Sequence, residues 1–244
     1  MPTRLLAALA VGVLVLSGCG RGEALPGGDD PARSDGCPQV ELVGLRGQAQ
    51  SLHHHRALGT EVDGITRRIA DGLARDGVRD VRIEAIRHRS RVTSTLSVFQ
   101  QDVAQGKRLL ARKLTSLERR CPSTRIGVVG FSQGAQIAHE TLAAHPRLAR
   151  HVDTLVLVGS PRRDPDARVT RVDLPGPQPS APGSLGAGPS LGGLTGRTIE
   201  ACITGDVVCA FTGTRDYTIH KHAYERPSVA DAIARAALPR LTPS

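Results

Sequence analysis

The run Arg125-Ile126-Gly127-Val128-Val129-Gly130-Phe131-Ser132-Gln133-Gly134 constrains the fold more than any other part of this chain. Its continuous apolar half is what a strand buried on both faces requires, and such strands belong to parallel sheets covered by helices. Gln133 to Ala144 reads as a helix that begins immediately after Ser132. A strand that becomes a helix within one residue must reverse sharply, and glycines two before and two after the serine allow this without Cβ clashes. The hydroxyl of Ser132 is then raised above the sheet edge, where the amides and dipole of a helix N-terminus face it. Ser132 is therefore a candidate nucleophile. The competing reading is a small-residue turn that only packs a helix onto a strand.

Strand and helix patterns alternate on either side of this turn. Gln39 to Leu45 alternates and is β-rich, and Val62, Ile65, Ile69 and Leu73 then recur at helical spacing, with Thr60 as a candidate N-cap and Asp76-Gly77 as the stop. Val81 to Ala85 is a second strand. Thr93 to Arg120 turns helical, Thr154 to Val158 is a buried strand, Thr198 to Ile203 returns to strand character, and Val229 to Leu238 closes the chain as a helix. The order predicts an α/β fold of three layers, a central mostly parallel sheet flanked by helices. Residues 161–196 break the pattern with Pro175-Gly176-Pro177 and Ser184-Leu185-Gly186-Ala187-Gly188, a loop too long to be a simple connection, which is either a functional cover or disordered. A length of 244 residues fits one such domain.

Hydrophobic residues at 39% suffice for a core, but aromatics at 2% and the lack of Trp require Val, Leu, Ile and Ala to build it. The same scarcity argues against a surface that stacks sugars or single-stranded nucleic acid. The net charge of +9 is carried mostly by arginines interspersed with acids, without a recognition motif, so no nucleic-acid partner is expected.

Met1 to Gly18 joins Arg4 to an apolar run from Leu5 to Leu16, too short for a stable membrane span, and reads as a signal peptide over residues 1–18. It ends in Leu16-Ser17-Gly18-Cys19, which looks like the lipobox of bacterial lipoproteins. Cys19 would carry a diacylglycerol, and two acyl chains give stable anchoring. Residues 19–36 hold too little apolar surface to fold and read as a tether, leaving 37–244 as the domain. Export to the outer face of the membrane is the expectation, an ordinary secretory leader the alternative. With Cys19 used for lipid, Cys37, Cys121, Cys202 and Cys209 remain, an even number that suits an oxidising compartment. Three pairings are possible; the short spacing of Cys202 and Cys209 suggests that they close a local loop, with Cys37 and Cys121 pairing over long range. Neither pair has the spacing of a zinc ribbon or knuckle.

A serine nucleophile needs a base, and the base an acid to hold its tautomer. Asp206, in the loop between Cys202 and Cys209, is the candidate acid; a bare Asx-turn is its structural alternative. His220 and His222 in Ile219-His220-Lys221-His222-Ala223-Tyr224 are the candidate bases, His220 slightly preferred. The adjacent His53, His54 and His55 point in different directions from any regular element, so a solvated loop is expected there, with no metal and no cofactor.

Together these pieces resemble the cutinase family, including the actinobacterial cutinase-like esterases of the α/β-hydrolase fold. The resemblance runs from about Cys37 to Leu241 and rests on Val43-Gly44-Leu45-Arg46-Gly47, Arg120-Cys121-Pro122 before the serine turn, Gly205-Asp206 between two cysteines, and a His shortly before Tyr224. It implies Ser132, Asp206 and one of His220 or His222 as a triad, an oxyanion hole at the amides of Gln133 and Gln48, and disulfides Cys37 to Cys121 and Cys202 to Cys209. Two positions depart from the family's pattern: Gln48 stands where Ser or Thr is usual, and Lys221 occupies the usual place of the His. The expectation is a monomeric esterase that cleaves a small-molecule or lipid ester through an acyl-enzyme on Ser132. The alternative is a weak or inactive envelope lipoprotein that keeps the fold as a binding surface.

Overall fold

The computed structural model describes residues 36–242. The expected leader, Cys19 and all but the last residue of the expected tether lie outside the described residues. In chain order the elements are β1 (Val40–Leu45), α1 (Gly59–Arg75), β2 (Val81–Ala85), α2 (Leu96–Arg120), β3 (Arg125–Phe131), α3 (Gln133–Ala144), α4 (Pro146–Arg150), β4 (Thr154–Val158), β5 (Thr170–Arg171), β6 (Thr198–Ala201), α5 (Thr218–His222) and α6 (Pro227–Ala237).

The six strands form one sheet in the order β2-β1-β3-β4-β6-β5, and every pairing is parallel. Because side chains alternate across a strand, each central strand serves two cores. Val40 and Leu42 of β1, Val129 and Phe131 of β3, and Val156 and Val158 of β4 face one side, where α1 and α6 pack. Val43 and Leu45, Ile126 and Val128, and Leu155 and Leu157 face the other, beneath α2, α3 and α4. This is the three-layer arrangement that the alternating pattern predicts. The sheet is wound outward from β1 in one direction and from β3 in the other. A crevice at the carboxyl ends of those two strands is the place where such sheets hold ligands.

One local expectation is corrected, and one open alternative is narrowed. Thr60 is not a cap: α1 starts at Gly59, with Leu58 before it and no side-chain cap bond. The chain enters the helix through a left-handed turn, His55, Arg56 and Ala57 having φ of 48°, 54° and 65°. Asp63 secures that turn by accepting from Arg56 Nε at 2.7 Å and pairing with Arg67 at 3.0 Å. Residues 161–196 are not a free loop. Buried Arg163 bonds Glu200 on β6 at 3.0 Å and donates to the carbonyls of Ala181 and Pro179, so the segment is pinned to the sheet. It also contributes β5 and a 3-10 turn at Gly192–Arg197.

Candidate active site

Ser132 sits at the end of β3 with φ 53° and ψ −115°, a conformation costly for any residue with a Cβ. The turn is fixed from both sides: the Ser132 amide donates to Val158 O at 2.9 Å, and Ser132 O accepts from Gln136 N at 3.1 Å, which starts α3. The flanking glycines are obligatory for contact as well as for turning. A Cβ on Gly134 would lie 2.2 Å from Leu45 O, and one on Gly130 would lie 2.6 Å from Gly134 O. Close packing of α3 against the end of β1 brings the Arg46-Gly47-Gln48 turn beside the nucleophile turn.

His220 lies on α5, a single helical turn. Two residues of helix rotate a side chain by about 200°, so His220 points into the protein while His222 is exposed. His220 Nε2 accepts from Ser132 Oγ at 2.9 Å, and its Nδ1 donates to Asp206, 3.0 Å from each carboxylate oxygen. Phe131 stacks on the imidazole with ring centroids 4.9 Å apart. Asp206 is fully buried, and the Val208 amide donates to its Oδ1 at 2.8 Å. Tyr224 donates its hydroxyl to Asp206 Oδ2 at 2.7 Å and accepts from Ile203 N at 3.0 Å. Complete burial, with the carboxylate second, pushes the Tyr224 phenol well above its ordinary pKa, so it stays a donor. The disulfide Cys202–Cys209 closes the loop that carries Asp206, and Cys37–Cys121 ties the start of β1 to the end of α2.

The backbone amides of Gln133 and Gln48 have no acceptor among the described residues. The Gln48 side chain turns away, donating to Thr93 O at 2.7 Å and Arg91 O at 3.2 Å, so only its main chain is available near Ser132. Behind this turn Arg46 donates through Nε to Gln50 O at 2.9 Å and through Nη2 to His88 O. Burial, then the Arg46 charge, lowers the His88 pKa to about 4, which keeps that ring neutral.

Thus Ser132, His220 and Asp206 are joined in one hydrogen-bonded line, and His222 is not part of it. Sequence reasoning used Tyr224 only as a landmark and assigned nothing to Phe131. Yet Phe131 and Tyr224 are the only buried Phe or Tyr side chains among the described residues, and in so aromatic-poor a chain each could have been read as having a specific task. His53, His54 and His55 are exposed, and the described residues contain no group of three metal-capable side chains. No helix among them is long and apolar enough to cross a membrane.

The family model described as Cutinase matches residues 36–237. Cutinase CUT1 of Coprinopsis cinerea is 33% identical over 132 residues, 53% of this chain and about half, 54%, of that protein's length. Carboxylesterase Culp1 of Mycobacterium tuberculosis is 25% identical over 190 residues, covering 77% of this chain and 76% of the relative. The solved structure of a cutinase-like protein from Cryptococcus sp. superposes with a TM-score of 0.69 at 19% identity, over 85% of this chain and 97% of that one.

Proposed function

The chain belongs to the cutinase family, and on that premise we propose that it is an exported carboxylic ester hydrolase working through an acyl-enzyme on Ser132. His220 takes the Ser132 proton as Oγ attacks the ester carbonyl, and returns it to the departing alcohol. Asp206 holds His220 in the tautomer that leaves Nε2 free to accept and stabilises the imidazolium that forms. The amides of Gln133 and Gln48 receive the oxyanion. Water then repeats the cycle on the acyl-Ser132 ester and frees the acid. No metal or cofactor takes part in this scheme.

The observation that carries the reading is the spacing of 2.9 Å and 3.0 Å along Ser132, His220 and Asp206. The acyl side of the substrate is apolar in this proposal. Its support is the set of large exposed apolar residues: Phe211 and Tyr217 precede α5, while Val92 and Leu96 flank the carbonyls that hold Gln48. Attachment through Cys19 places the enzyme, as a monomer, at a membrane surface where lipid esters are at hand.

The test is hydrolysis of nitrophenyl esters by the full chain in detergent. Ser132→Ala and His220→Ala are expected to lower kcat by at least about a thousandfold, while His222→Ala retains full rate. Equal rates for wild type and Ser132→Ala would remove the esterase reading and leave the binding one.

A further inference from the structure

The turn that offers the Gln48 amide does not hold itself in place. Ala49 within it has φ 65°, a left-handed conformation that a non-glycine residue keeps only when its surroundings impose it. Part of the fastening comes from the segment after β2: Ser90 Oγ donates to Gly47 O at 2.6 Å, and Ala49 N donates to Ser90 O at 3.1 Å. That segment is itself largely exposed from Arg89 to Thr95.

The other fastening runs to a helix. Gln50 Oε1 accepts from Gly47 N at 2.7 Å, and Gln50 Nε2 donates to Glu61 Oε2 in the first turn of α1. One amide side chain thus spans from the turn to the helix with both ends used. It fits because α1 begins with Gly59: a Cβ there would lie 2.1 Å from Gln50 Oε1. Glu61 is only 2% exposed and has no cation partner among the described residues. Burying a carboxyl in this way is expensive, and an apolar residue would pack the helix more cheaply. Burial raises the Glu61 pKa, with the Gln50 hydrogen bond opposing, Glu225 adding to the rise and His220 opposing it.

We propose that Glu61 is a positioning residue for the oxyanion hole, acting through Gln50 to hold the Arg46-Gly47-Gln48 turn against the nucleophile turn. The inference rests on the reading that the Gln48 and Gln133 amides receive the oxyanion. Loosening the link would leave substrate binding intact and weaken an interaction made chiefly in the transition state, which lowers kcat and not KM.

The experiment is a double-mutant cycle on the full chain with a nitrophenyl ester. Glu61→Leu and Gln50→Leu are each expected to lower kcat about tenfold with KM changed less than about twofold. Glu61→Leu/Gln50→Leu should fall no further than the worse single variant, because both break one link. Glu61→Gln, whose carbonyl still accepts from Gln50, should return kcat to within about threefold of wild type. Unchanged kcat in Gln50→Leu, multiplicative losses in the double variant, or Glu61→Gln as slow as Glu61→Leu at matching melting temperature would each overturn the proposal. Should Glu61→Leu fail to fold, Gln50→Leu against Glu61→Gln gives the same decision. Ser132→Ala run alongside separates the two levels: its retaining activity would sink the underlying reading, not this link.

Discussion

Glu200 shows how single buried groups set the pH response of this protein. It lies on β6, and burial raises its pKa from 4.5 to about 6 even though Arg163 and Arg171 pull the other way. Between those values the folded state holds a proton that the unfolded state has released. Its contribution is therefore complete below pH 4.5 and is lost as pH rises through about 6. The stability difference between wild type and Glu200→Gln should fall by roughly 2 kcal/mol across that window in urea titrations. A difference independent of pH would mean that Arg163 keeps the carboxylate ionised throughout. At this scale the sequence was legible in part. Ser132 and Asp206 stand in distinctive settings, between a buried strand and a helix and between two cysteines. His220 and His222 do not, because two residues in one polar segment look alike until a helical turn directs one inward and the other out. Gln50 and Glu61 were illegible, since their meaning is a contact across 11 positions.

Elements were the easiest scale to read, because hydrophobic period follows directly from burial. Each strand and helix inferred from apolar spacing is present, and the parallel order follows from their alternation. Where spacing had nothing to say, reading stopped: the hold of Arg163 on residues 161–196 depends on a partner distant in the chain, and the entry to α1 on a left-handed turn. The junction of α3 with β1 yields a prediction at this scale. In Gly134→Ala the new methyl meets the Leu45 carbonyl, a backbone atom that cannot swing aside, so the cost should be at least about 3 kcal/mol and ester hydrolysis should fall with it. Gly64→Ala, in the middle of α1 with 3.6 Å to its nearest neighbour, should instead stabilise by roughly 0.5–1 kcal/mol. Equal denaturation midpoints for the two would count against so tight a junction.

At the scale of the whole molecule, two disulfides brace the domain at places where secondary structure does not. Cys37–Cys121 fastens the amino-terminal edge of the sheet across a sequence separation of 84, and Cys202–Cys209 closes a local loop across a separation of 7. Both fit an oxidising compartment. The proposed location at a membrane rests on Cys19, and on that proposal Cys19→Ala should move the protein from the membrane to the soluble fraction on ultracentrifugation; unchanged sedimentation would speak against lipid attachment. His220 follows Ser132 by 88 residues, and among the described residues only α6 and a 3-10 turn come after α5. A chain made only as far as β6 thus carries a serine without its proton acceptor. Hydrolytic competence therefore waits on the last part of the domain to be made and folded, and a chain cut short before α5 would keep the serine idle.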